Sequence, residues 1–151
     1  MKKIIMVLVP SLWLIACSSS DSWSYEFDGS SKNWQAVVNV VPNEQNGAEF
    51  IGKLKKLSNK KITYIHYEAD VTYSSHSTGN IDNPNFGEAD SYIELFHDIP
   101  NTEQYRKEFK NGVDEREIKD FFGNYPVFRI TWKDEKGEHT ETLNLKYVET
   151  R

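Results

Sequence analysis

Trp23, Tyr25 and Phe27 are separated by single polar residues, Ser24 and Glu26. Strict alternation of this kind sends one row of side chains to an apolar surface and the other to water, the pattern of a half-buried strand. The same reasoning carries along most of the chain. Residues 28–33 spell a turn (Asp-Gly-Ser-Ser-Lys-Asn), and residues 34–41 are then rich in β-branched side chains and closed by Pro42. Residues 43–47 turn the chain again. Residues 50–57 alternate loosely and carry Lys53, Lys55 and Lys56, which predicts an edge or solvent-facing strand. After a turn at 59–61, the longest strand signal covers 62–73. Ile65, Tyr67, Ala69, Val71 and Tyr73 share one face there; His66, Glu68, Asp70 and Thr72 share the other.

Residues 74–90 hold Ser, Gly, Asn, Asp and Pro with little apolar content, which predicts a long loop. Residues 91–99 resume as a strand, with Ile93, Leu95, His97 and Ile99 opposed to Tyr92, Glu94, Phe96 and Asp98. Apolar groups on both faces predict a central position. Between 100 and 123 the period lengthens. Tyr105 and Phe109 are four apart, and Ile118, Phe121 and Phe122 fall at helical spacing. One or two short helices are predicted, interrupted at Asn111-Gly112. Asn101 or Thr102 caps the first, Asp114 caps the second, and Gly123-Asn124 closes it. Strands return at 127–132 and 139–147, flanking a charged turn, 133–138, in which Gly137 takes a positive φ.

About seven short strands with tight turns predict a mainly β fold: an antiparallel immunoglobulin-like β-sandwich with one or two short helices. A closed calycin or lipocalin-like barrel is the alternative. A barrel encloses a cavity, whereas a sandwich packs its two inner faces solid. The run of short helix, Ile-x-Trp strand, charged Gly turn and Leu-x-Leu strand in 117–145 resembles the C-terminal end of small Gram-positive lipoproteins with immunoglobulin-like sandwiches. That resemblance brings no functional residue with it.

The first seventeen residues follow a different pattern. Lys2 and Lys3 precede an apolar stretch, 4–14, broken at Pro10 and Ser11, and Leu14-Ile15-Ala16-Cys17 follows. A charged start, a short apolar run and a small residue before the cut mark a secretory signal. The run is shorter than the roughly 20 apolar residues that span a bilayer. Leu14-Ile15-Ala16-Cys17 resembles the lipobox of bacterial lipoproteins. The resemblance implies that the Cys17 thiol carries a diacylglyceryl group and that signal peptidase II cuts just before it. The mature chain would then sit on the extracytoplasmic face of the cell membrane. Cys17 is the only cysteine, so it has no disulfide partner within the chain. The organisation predicted is a signal peptide (1–16), a lipidated polar tether (17–22) and one β-rich domain (23–151).

The formal net charge is −5, and losing Lys2 and Lys3 takes it to −7. An acidic body has no basic face for nucleic acid and gains no electrostatic hold on an anionic membrane. Candidate chemistry is sparse. His66, His76, His97 and His139 form no helical pair, and no cysteine remains to join them at zinc. Nucleophile-elbow and phosphate-loop patterns are missing. No catalytic residue, metal or cofactor is therefore predicted. Asn80, Asp82, Asn83, Asn85, Glu88 and Asp90 offer oxygens of the kind calcium takes, but Pro84 breaks the alternate spacing, and a solvated loop is the expectation. His66, Glu68 and Asp70 invite an acid–base reading, although alternate polar residues on a strand ordinarily face water. Tyr105, Phe109, Phe121 and Phe122 are expected to fasten helices to the sheet, and Trp34 and Trp132 to lie in the core. These features predict a non-enzymatic binding module of the cell envelope, held to the membrane through lipid on Cys17, with an envelope protein or wall component as partner. A small-ligand carrier and an envelope hydrolase are the alternatives.

Overall fold

A computed structural model describes residues 23–43, 47–86, 91–98 and 114–148. In chain order the described strands are β1 (Tyr25–Ser30), β2 (Trp34–Pro42), β3 (Ala48–Lys56), β4 (Tyr64–Thr72), β5 (Ser75–Asp82) and β6 (Tyr92–Asp98). The helix α1 (Glu115–Phe122) follows, and then β7 (Val127–Asp134), β8 (Gly137–Asn144) and β9 (Lys146–Val148). They form two antiparallel sheets, ordered β6-β3-β2-β1-β9 and β5-β4-β7-β8. No strand of one sheet hydrogen-bonds to a strand of the other among the described residues. The molecule is thus an antiparallel β-sandwich, and the closed barrel is excluded.

Alternation selects what lies between the sheets. Phe27, Trp34, Ala36, Val38, Val40, Phe50 and Leu54 of the first sheet are buried against Ile65, Tyr67, Ala69, Phe128, Ile130 and Trp132 of the second. Each large apolar side chain so buried contributes about 1.5–3 kcal/mol, so this layer dominates stability. Trp34 and Trp132 meet edge to face with centroids 5.5 Å apart, and Phe96 stacks on Phe128 at 5.9 Å.

Two bulges re-aim strands that simple alternation misplaces. The register between β4 and β5 shifts between Asp70 and Thr72. Val71 and Thr72 are consequently both buried, and Tyr73, expected on the apolar face, is 69% exposed. A second shift lies between Gly52 and Lys53 on β3, opposite Leu95. It places Ile93 inward before the bulge and Phe96 inward after it, while His97 turns to solvent. An extra residue in one strand flips the face of everything beyond it. Gly52 is required at that point: a Cβ there would lie 2.1 Å from the Phe96 ring.

Four strand expectations need correction. The loop predicted at 74–90 contains β5, an edge strand. β3 is not an edge, since it lies between β2 and β6; Lys53 and Lys55 line its outer face, in keeping with the solvent-facing half of the expectation, whereas Lys56 falls on the inner row opposite Trp34. β6 is not central but is the outermost strand of its sheet. The strand predicted at 139–147 breaks at Leu145, where the chain leaves the second sheet and β9 pairs with β1. This crossing presses on Gly29, whose Cβ would stand 3.0 Å from the Asn144 carbonyl oxygen. Asp28, Gly29 and Ser30 pair with β2 and belong to β1 rather than to the turn expected at 28–33.

The second predicted helix is present. Asp114 caps α1: its carboxylate accepts from the Glu117 N–H at 2.9 Å, and its own N–H donates to the Glu117 carboxylate at 3.1 Å. Gly123 (φ 60°) ends the helix, its N–H donating to the Lys119 carbonyl at 2.8 Å. Ile118 and Phe122 are buried, and the Phe122 ring stands 4.5 Å from Phe27 and 6.0 Å from Phe50. The first predicted helix, with Asn101, Thr102, Tyr105 and Phe109, lies outside the described residues.

Pairing also defines two ends. β1 starts at one, beside Val40, Phe50 and Asp98 of neighbouring strands. On the second sheet this end holds the Tyr73–Ser74 turn, because Asp70 pairs with Val127 at the start of β7. The far end holds Trp34, Lys55, Tyr92, Tyr64, Lys133 and the Glu135–Lys136 turn, tied together by the Trp34–Trp132 contact.

Candidate functional site

The acid–base candidates on β4 do face outward, but they do not converge. Asn80 on β5 takes the Tyr64 hydroxyl at 2.6 Å and the His66 Nδ1 at 2.9 Å on one amide oxygen. Glu68 lies 3.3 Å from the Arg129 guanidinium on β7 and 3.8 Å from His66 Nε2. Asp70 is paired with His76 at 2.6 Å. His66 and Asp70 are four residues apart on one strand, hence about 13 Å. Each candidate has its own cross-strand partner, which is how a solvated sheet face stabilises itself. The oxygen-rich stretch is likewise divided. Asn80 and Asp82 belong to β5, Asn83 sits at φ 47° just beyond it, and Glu88 and Asp90 lie outside the described residues. Among the described residues no three or more His, Cys, Asp or Glu side chains are grouped as a metal would need.

A second group of polar residues forms at the far end, and sequence reasoning missed it. The β7–β8 hairpin closes through a two-residue turn, Glu135-Lys136, with Asp134 paired to Gly137 and Gly137 at φ 120°, positive as expected. The Asp134 side chain is fully buried there. Its Oδ1 accepts from the Lys136 N–H at 2.8 Å and meets His139 Nε2 at 3.0 Å; its Oδ2 lies 3.1 Å from Lys60 Nζ. The His139 hydrogen bond, followed by the Lys136 N–H and the Lys60 ammonium, outweighs burial and pulls the Asp134 carboxyl down to about 2. Lys56 donates to the Lys60 carbonyl at 2.7 Å and sits over the Phe86 ring, which packs on Trp34. Farther along β8, Glu141 accepts from the Ser31 hydroxyl and from Asn33 Nδ2, tying the second sheet to the β1–β2 turn. These bonds clamp the hairpin to the rest of the sandwich. A carboxylate this acidic and this enclosed is a poor proton acceptor at neutral pH, so the group reads as a brace, not as a general base. Lys60 is far from Asp134 in sequence, and no periodicity joins them.

The remaining expectations divide simply. Trp34 and Trp132 are in the core, and Phe122 fastens α1 to it with Phe121 beside it. Cys17, the predicted lipid site, lies outside the described residues. Compared with protein families, with characterised proteins and with solved structures, the chain matches none. Its class rests on its own geometry: an antiparallel sandwich with a paired polar outer face and a buried charged brace at one end. Among the described residues no helix is long and apolar enough to cross a membrane.

Proposed function

We propose that the chain is a lipoprotein of the cell envelope, held by lipid on Cys17 to the extracytoplasmic face of the membrane, whose sandwich is a non-enzymatic binding module for an envelope protein or wall component. The observation that carries this reading is the joint placement of Lys2, Lys3, the short apolar run and Leu14-Ile15-Ala16-Cys17. Two features of the folded part support the non-enzymatic half. The ionisable groups on the outward row of β4 are paired with one another and with His76 and Arg129, and the inner faces are filled by aromatic rings in mutual contact.

The test is metabolic labelling with palmitate in a bacterial host. Wild-type protein takes up label and appears as a band shortened by the signal peptide. Cys17→Ala takes up none. Label on the Cys17→Ala protein, or an unlabelled wild type, refutes the lipid site. Crosslinking in intact cells then asks for the partner, and a wild-type protein that yields no adduct refutes the binding role.

A further inference from the structure

We infer that the end of the sandwich where β1 begins is a membrane-contact surface, seated on lipid headgroups through Tyr73, while the Asp134 end points away from the bilayer. The inference rests on the lipid anchor proposed above and adds an orientation to it. Six peptide steps separate Cys17 from Trp23. Fully extended they reach about 20 Å. The sandwich is longer than that, since a nine-residue strand such as β2 runs about 30 Å. An inverted sandwich, with the Glu135–Lys136 turn on the bilayer, would hold Trp23 farther from the membrane than the tether extends. The upright arrangement costs the tether nothing.

What this end presents fits an interface. Tyr73, thrown outward by the bulge after Asp70, is the most exposed large apolar side chain among the described residues, and Val148, 40% exposed, pairs with Glu26 at the start of β1. Tyrosine is enriched at headgroup depth because its ring is apolar and its hydroxyl is wet. Electrostatics does not supply the attraction. Carboxylates at this end include Glu26, Glu49, Asp70 and Asp98, with His97 and His76 paired to Glu49 and Asp70. Contact made by an aromatic side chain, not by charge, is insensitive to salt.

The lipidated full-length protein, reconstituted on phosphatidylcholine vesicles, tests this. Lipid occupies Cys17, so one added thiol takes one fluorescent label. Ser74→Cys and Asn124→Cys report on the near end, and Lys136→Cys on the far end. Each labelled variant is first shown to melt as the wild type does. With a nitroxide quencher on the lipid headgroup, the labels at 74 and 124 are expected to be quenched and the label at 136 spared, at low and high salt alike. Tyr73→Ala is expected to weaken quenching of the label at 74 and to leave the label at 136 spared, because the tether still forbids the inverted arrangement. Equal quenching at both ends on vesicles that still carry the protein overturns the orientation alone, as does a difference that vanishes in salt; quenching at 74 that Tyr73→Ala leaves unchanged overturns the seat on Tyr73. Protein that fails to float with the vesicles overturns the anchor, and this inference with it.

Discussion

Asp134 carries its charge inside the molecule, and the sign of its effect on stability follows from its partners. The His139 hydrogen bond, the Lys136 N–H and Lys60 hold its folded pKa near 2, below the ordinary value of 3.8. A depressed folded pKa means that the carboxylate stabilises the fold above the unfolded value and that this contribution is lost as pH falls through the folded one. Asp134→Asn is therefore expected to unfold at lower urea than wild type at neutral pH. The gap should close progressively between pH ~4 and pH ~2. A gap independent of pH would mean that hairpin packing, not ionisation, is what the substitution disturbs. Asp98 has the opposite sign: burial pushes its carboxyl above the ordinary range, more than His97 pulls it down, so its contribution fades as pH rises. At this scale the sequence was legible only for apolar residues. Trp34 and Trp132 declare themselves by size. Asp134 looks like any turn aspartate, because what makes it special, Lys60 and the enclosing hairpin, is contributed by distant chain.

Helix α1 separates local from tertiary support. Its cap, Asp114 with Glu117, was readable as a sequence spacing, and Asp114→Ala is expected to cost about 1 kcal/mol. Its anchor is Phe122, set between Phe27 and Phe50. Phe122→Ala removes a buried ring and is expected to cost about 3–5 kcal/mol. Urea unfolding of both variants checks the order, and a cap worth more than the anchor would show that the helix stands without the core. The same contrast explains which strands could be read. β1, β2, β4 and β7 have apolar rows facing the other sheet and were plain in the pattern. β5 was not, because its inward residues are Ser75, Ser77, Gly79 and Ile81. Gly79 is small for a reason: a Cβ there would come within 2.7 Å of the Tyr67 ring, which crosses between the sheets to donate its hydroxyl to the Leu95 carbonyl at 2.6 Å. A strand that makes room for a neighbour's side chain has no apolar alternation of its own. β6 misled for a related reason. Its bulge at Leu95 puts apolar residues on both sides of the period, which imitates a strand buried on both faces. The candidate polar face of β4 was legible as a face, since alternation fixes it up to Asp70. Its pairing was not, because Asn80, His76 and Arg129 reach it through registers that only the folded sheet sets.

At the scale of the molecule, the proposed lipid anchor assigns attachment and fold to separate parts of the chain. The chain is acidic, −5 overall and −7 if the proposed cleavage removes Lys2 and Lys3. Such a body is repelled by anionic lipid, and among the described residues no helix is long and apolar enough to cross a membrane. In the proposed arrangement the lipid on Cys17 supplies the hold. Two acyl chains there, at about 0.8 kcal/mol for each buried CH₂, would make the bound state effectively permanent, where a single short chain would exchange. Salt cannot weaken that attachment: at about 1 M the screening length shrinks to about 3 Å, which abolishes surface charge attraction but leaves hydrocarbon burial intact. Washing membranes in molar salt is therefore expected to leave the wild-type protein in the pellet, and detergent to release it. Cys17→Ala should appear in the soluble fraction before any wash, with its melting temperature unchanged once purified. Wild-type protein stripped by salt, or a Cys17→Ala protein that stays with the membrane, would place the hold in the folded body, against the charge it carries.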